Sequence, residues 1–210
     1  MKIHHVNSSI VILAEAHNTT ILHPEFLKNQ GVVPKEWSAS EAPLCTPALS
    51  VVRYKNISLI ADINKFQVVN SDEIVEPRIA DLAARYIEVL PHVHYTALGI
   101  NFTSAIETEA PMKWIAKRFF PVDRDGDSDI VGEPAGARFT YPKRRATFNW
   151  EVGEMQRPGA ARVACVLVNT NYNFELRREA AVADATSALA TYSECMRHFE
   201  LVTIKIASSP

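Results

Sequence analysis

"RVACVLVNTNYNFEL", residues 162–176, decides the fold. Its first half is apolar on both alternating faces, which is the pattern of a strand covered on two sides. At Asn169 the pattern changes. Asn169, Asn171 and Asn173 fall on one face, and Thr170, Tyr172 and Phe174 on the other. Asparagine is a poor strand residue, so three of them in register mark a deliberate polar face. The segment predicts a central strand that leaves the core and turns one side to water or to a cleft. Three readings of that side stay open: the solvated face of an antiparallel sheet, a polar cleft with aromatic walls, or an exposed edge that pairs with another chain.

The neighbouring segments supply partners for this strand. "ATFNWEV", 146–152, alternates Phe148, Trp150 and Val152 against Thr147, Asn149 and Glu151, and "EMQRPGA" reads as the turn between the two strands. "YTALGINFTSAIE", 95–107, sets Leu98, Ile100 and Phe102 against Gly99, Asn101 and Thr103. Asn101 and Asn149 therefore occupy polar positions that match the asparagines of the first strand. Amides donate and accept at once. The solvated face is the plainer reading; on the cleft reading, the ligand-binding surface is built on Asn101, Asn149 and Asn171, with Trp150 and Tyr141 as aromatic walls.

The remaining chain follows the same alphabet. "SIVILAEA", 9–16, is a buried strand, Pro24 opens a short helix over 24–30, and 32–46 is a loop with two prolines. "PALSVVRYKNISLIADINKFQVVN", 47–70, is a hairpin turning at Lys55-Asn56. "DEIVEPRIADLAARYIEVL", 72–90, has Ile79, Leu82, Ala83, Tyr86 and Leu90 at helical spacing and acidic residues at its start, and Pro91 ends it. Pro111 opens a second short helix, "PMKWIAKRFF". The polar loop 121–137 follows it. A long helix is predicted over 177–199, and "LVTIKI", 201–206, as a closing strand.

The order repeats: strand, proline-opened helix, loop, hairpin, longer helix. Pro24 follows Ile10 by the interval at which Pro111 follows Ala97. The expected fold is α+β, one domain over 1–210 made of two strand-helix-hairpin-helix pseudo-repeats, 1–95 and 96–210. These form a mainly antiparallel curved sheet with two long helices on one face.

Composition narrows the function. The 210 residues are 47% hydrophobic and 22% charged, as in globular proteins. Net charge is −2, with 22 basic against 24 acidic residues, so no nucleic-acid partner is expected; "KRR" at 143–145 and "RR" at 177–178 read as parts of a mixed surface. Cys45, Cys165 and Cys195 are widely spaced and odd in number, which implies free thiols in a reducing compartment. The one apolar run near the start, "IVILA", is too short for a signal core or a membrane span, so no membrane partner and a cytoplasmic location are expected. On the same ground the N-x-S/T triplets at Asn7, Asn18, Asn56 and Asn101 are chance matches.

Catalytic signatures are missing: no GxSxG, GxxxxGK[ST], GxGxxG or HExxH occurs. "DRDGDSD", 123–129, alternates carboxylates, but Gly126 follows the second aspartate, not the third, and Pro134 stands where an EF-hand has glutamate. It reads as a solvated loop, and no metal or cofactor is expected. Glu15 and His17 lie two apart, as an acid and an imidazole sharing a face would; the plainer reading is a strand emerging into water. His92 and His94 could meet His4, His5, His17 or His23 at one sheet end, without any known ligand spacing.

Strand, helix and two-strand hairpin, twice over, resembles the duplicated module of GyrI-like effector-binding domains. That resemblance implies a small-molecule binder with a cleft between halves. "HNTTILHPEFLKNQGVVP" and "YTALGINF" are similar to an uncharacterised family of sporadically distributed bacterial proteins, which implies a bacterial cytosolic chain and no activity. No functional residue is carried over from either. The leading expectation is a non-catalytic binding or assembly module, a homodimer or a subunit of a complex, with exposed aromatics such as Trp37 and Trp114. The rival is a small-molecule binder or hydrolase using the concave face.

Overall fold

The computed structural model describes residues 2–72, 78–120, 135–156 and 161–208. Nine strands form a single sheet: β1 (Ile3–Ala14), β2 (Leu44–Cys45), β3 (Leu49–Tyr54), β4 (Ile57–Asp62), β5 (Lys65–Asn70), β6 (Tyr95–Glu107), β7 (Gly136–Tyr141), β8 (Ala146–Gln156) and β9 (Arg162–Glu175). Their order is β2-β3-β4-β5-β1-β6-β9-β8-β7. Every pairing is antiparallel. The two long strands β1 and β6 meet in the middle, with Ile10 opposite Ile100, and Val6 bulges out between His5 and Asn7. The class is α+β, with an open antiparallel sheet and five helices among the described residues: α1 (Pro24–Asn29), α2 (Arg78–Val89), α3 (Pro111–Phe119), α4 (Ala181–Ala190) and α5 (Tyr192–Ser208).

Period-two alternation sends one set of side chains into the core. Ile10, Ile12, Leu98, Ile100, Phe102, Phe148, Trp150, Val166, Val168 and Tyr172 are all buried. The helices pack on this face. Tyr86 of α2 stacks on Phe66 at 3.6 Å, Trp114 of α3 on Trp150 at 5.9 Å, and Phe199 of α5 on Phe102 at 5.4 Å. Such pairs add about 0.5–1.5 kcal/mol each beyond area burial. Pro24 and Pro111 begin α1 and α3 as expected, and Lys55, at φ 51, makes the tight β3–β4 turn. No described helix covers the other face.

Five expectations need correction. The segment 47–70 is a three-stranded meander, not a two-strand hairpin: after β4 the chain turns a second time, with Asn64 N donating to Asp62 Oδ1 at 2.9 Å, and runs back as β5. "LVTIKI" is not a strand: it lies inside α5. Its β-branched composition suggested a strand, but Cys195, Phe199, Thr203 and Ala207 repeat every fourth residue and are all buried, and that helical period wins. The helix predicted over 177–199 is interrupted at Thr191, where α4 ends and α5 begins. β7 was not expected, because an exposed edge strand needs no apolar alternation. Trp114 is only 8% exposed, and Trp37 is half-buried against Tyr54, so neither is the exposed aromatic that was expected. The acidic loop 123–129, the acidic start of the 72–90 helix and the turn at 157–160 lie outside the described residues.

Candidate functional site

The asparagines do meet. Across β1, β6, β9 and β8 the uncovered face carries a row Ser9–Asn101–Asn171–Thr147, and beside it Thr103–Asn169–Asn149. Asn171 Nδ2 donates to Asn101 Oδ1 at 2.6 Å, and Asn101 Nδ2 lies 3.4 Å from Ser9 Oγ. Thr103 Oγ1 donates to Asn169 Oδ1 at 2.9 Å, and Asn169 Nδ2 to Glu151 Oε1 at 2.6 Å. These amides largely satisfy one another. Gly99 leaves the room: a Cβ there would lie 3.0 Å from Asn171 Nδ2.

The aromatic walls are elsewhere. Trp150 points to the helix-covered side and is 1% exposed. Tyr141 is on that side too, half-buried against Phe148 and His198 at ring distances of 5.2 and 5.4 Å. Of the five expected residues, Asn101, Asn149 and Asn171 therefore share one face, and Trp150 and Tyr141 lie across the sheet from them.

A cleft of about 880 Å³ opens at the end of β8 and β9, beneath α4. Its floor is Asn173, Phe174 and Leu176, and its walls include Thr147, Arg145 and Thr191. Arg145 closes the β7–β8 turn in the left-handed conformation, φ 52, after the single helical turn Pro142–Arg144. A non-glycine residue held there costs about 1–3 kcal/mol and persists only where the surroundings fix it. The fixing contact is Asn173 N, which donates to Arg145 O at 3.0 Å. The Arg145 guanidinium sits 5.9 Å from the Phe174 ring. Arg145 has no carboxylate partner among the described residues.

Of the other charges lining the cleft, Arg177 and Asp184 are paired with each other, and the exposed Glu175 enters no ion pair among the described residues. Arg177 grips Asp184 with Nη2–Oδ1 at 2.7 Å and Nε–Oδ2 at 3.0 Å, and its backbone N–H adds a third bond at 3.0 Å. The Arg177 side chain, and then its backbone, hold the Asp184 carboxyl at about 2. Arg144 pairs with Glu194. Sequence reasoning read "KRR" as mixed surface, and its last residue turns out to line the cleft without a carboxylate partner among the described residues. The signal lay in its place, between a proline-opened turn and the alternating strand "ATFNWEV".

Glu15 and His17 do not work together. β1 shifts register after Leu13 and ends at Ala14, so the two side chains part. Glu15 Oε2 pairs with His94 Nδ1 at 3.0 Å, while the His17 ring turns inward and its Nδ1 lies 2.7 Å from the Tyr86 hydroxyl. His4 stands at the other end of β1, 3.5 Å from Glu107. No group of three or more His, Cys, Asp or Glu among the described residues is arranged to hold a metal. Burial raises the thiols of Cys165 and Cys195, which keeps them protonated. No described helix is long and apolar enough to cross a membrane. No family model matches the chain, and no curated protein matches it.

Proposed function

We propose that the chain is a non-catalytic binding module whose cleft at the end of β8 and β9 holds a small anionic molecule. One observation carries the reading: an 880 Å³ cleft, within the roughly 300–1,000 Å³ of small-ligand sites, has on its wall an arginine, Arg145, with no carboxylate partner among the described residues, braced against Phe174, while the lone carboxylate of Glu175 on the same lining is offset by the second arginine, Arg177. Arg145 meets a carboxylate or phosphate as a fork, Phe174 and Leu176 receive an apolar body, and the Thr147 and Thr191 hydroxyls and the Asn173 amide line the rest. Asn101, Asn169 and Asn171 of the open face are then structural, because their side chains are already bonded across the strands.

The two halves 1–95 and 96–210 are, in this reading, pseudo-repeats of one unit. The strand order supports it: outward from the centre, β1-β5-β4-β3 runs one way, with the two-residue β2 added at its edge, and β6-β9-β8-β7 the other. The proposal is of a kind with the effector-binding resemblance, and with a bacterial cytosolic chain that has neither nucleic acid nor membrane as partner. Three free cysteines agree with a reducing compartment.

The test is thermal shift and calorimetry with benzoate and phenyl phosphate, with benzamide as the neutral control. A ligand at 100 times its Kd stabilises by about 2.7 kcal/mol, which raises Tm by roughly 5–10 °C for a chain of this size. Arg145→Gln should abolish the shift. An equal response to benzamide, or an unchanged response in the variant, refutes the reading. Self-association is the second reading, favoured by Leu201 and Ile204 of α5, which are 63% and 53% exposed. Leu201→Glu should then turn a dimer into a monomer in sedimentation, and a wild-type monomer at high concentration removes this reading.

A further inference from the structure

We infer that the chain has a second ligand site, a groove between α5 and the paired ends of β1 and β6, which takes a small neutral apolar molecule with one hydrogen-bonding group. The groove holds about 440 Å³, again within the range of small-ligand sites. Phe102 and Phe199, stacked at 5.4 Å, make an aromatic floor. Met196, a side chain that adapts to varied shapes, forms one wall, and Ile3 and Ile204, 39% and 53% exposed, stand at the rim.

Thr203 points to a ligand. It lines the groove on the buried side of α5 and is 2% exposed, yet its Oγ1 has no hydrogen-bond partner. A helical threonine ordinarily bonds back to the carbonyl four residues earlier, as Thr186 does to Val182 at 2.9 Å. Thr203 forgoes that bond. A buried hydroxyl left without a partner is a standing cost to the fold, and a ligand group in the groove removes it. The remaining polar lining is His5, Ser104 and Glu200, with no Lys or Arg; Glu200 enters no ion pair among the described residues, so an anionic head is repelled and a neutral one accepted. That separates this site from the Arg145 cleft, and Arg145→Gln leaves it intact, so either reading can fail without the other.

The experiment is methyl NMR on the full chain, titrated with 2-naphthol, naphthalene and 2-naphthoate. The Ile3, Ile204 and Met196 methyls should shift saturably with 2-naphthol, and 2-naphthoate should bind at least ten-fold more weakly. Thr203→Val keeps the shape and removes the hydroxyl. It should weaken 2-naphthol about five-fold, the worth of one net hydrogen bond, and leave naphthalene unchanged. Met196→Trp, which fills the groove, should abolish both. Shifts that do not saturate, shifts spread evenly over the methyls of the chain, or equal 2-naphthol affinity in wild type and Thr203→Val overturn the inference.

Discussion

His17 lets the core be interrogated by pH. It follows β1, is 5% exposed, and is held by the Tyr86 hydroxyl at 2.7 Å, under a Tyr86 ring that stacks on Phe66. Burial lowers its pKa below the ordinary imidazole value, against smaller opposing pulls from the Ile12 backbone and Asp62. The folded pKa is thus depressed relative to the unfolded one, near 6.5. As pH falls through that value the unfolded chain takes up a proton that the folded chain refuses. The stability contributed by neutral His17 is therefore complete above about pH 6.5 and drains away below it. One unit lower, at pH 5.5, the unfolded state has gained RT ln 11, about 1.4 kcal/mol. That is the ceiling, reached if the buried ring stays neutral throughout. The perturbation is His17→Gln, which keeps a hydrogen-bonding group for Tyr86 and cannot titrate. Urea unfolding at pH 7.5 and 5.5 gives the loss for each protein. Groups common to both, His198 among them, cancel in the comparison. At an m-value of about 2 kcal/mol/M the wild-type midpoint should drop by up to ~0.7 M more than that of the variant. Parallel losses in the two proteins would show that the folded state accepts the proton on His17, and the argument from burial would fail.

Trp150→Ala removes a ring that packs on both Trp114 and Phe119, at 5.9 and 5.4 Å, and should cost about 3–5 kcal/mol in urea unfolding. If it binds benzoate as wild type does once folded, Trp150 belongs to the core and not to a site. Asn171→Ala breaks the 2.6 Å bond to Asn101 on the open face, and its cost should be only about 0.5–1.5 kcal/mol; binding in the Arg145 cleft should survive it. Arg145→Gln and Thr203→Val, each tested against its own ligand, complete the set.

The central strands of the sheet were legible in the sequence, and its edges were not. "RVACVLV" identified an inner strand, and β9 does lie between β6 and β8. Proline and alternation located α1, α3 and β8. Period two also separates Trp150 from Asn149, so an aromatic wall beside the asparagines conflicted with the very pattern that found them. The tail misled for a physical reason: Val202, Ile204 and Ile206 are β-branched residues at alternate positions, but they continue a helix whose buried spacing had been set by Cys195 and Phe199. The clefts were not legible. Arg145 and Phe174 come from a turn and a strand end that only the β8–β9 pairing brings together, and Thr203 is notable for a bond it fails to make, which no sequence displays.

The asparagine face follows from the cost of leaving one side of a wide sheet bare. Nine strands at roughly 4.8 Å spacing span about 40 Å, and the described helices cover one side only. Aliphatic residues throughout the other side would make an apolar patch far beyond the few hundred Å² that soluble monomers tolerate. Ordinary polar residues would keep it soluble but would leave the central strands without cross-strand support. Side chains that bond across strands meet both demands. Ser9, Asn101 and Asn171 span the β1–β6 seam and reach β9, and Thr103, Asn169 and Glu151 carry the same device on to β8. The seam matters most, because there the half containing β1 meets the half containing β6. A bonded amide has little left to offer a ligand. On the two proposals, recognition falls to groups the ladder does not use at the rims: the guanidinium of Arg145 at one end of β8 and β9, and the hydroxyl of Thr203 beside the far end of β1 and β6.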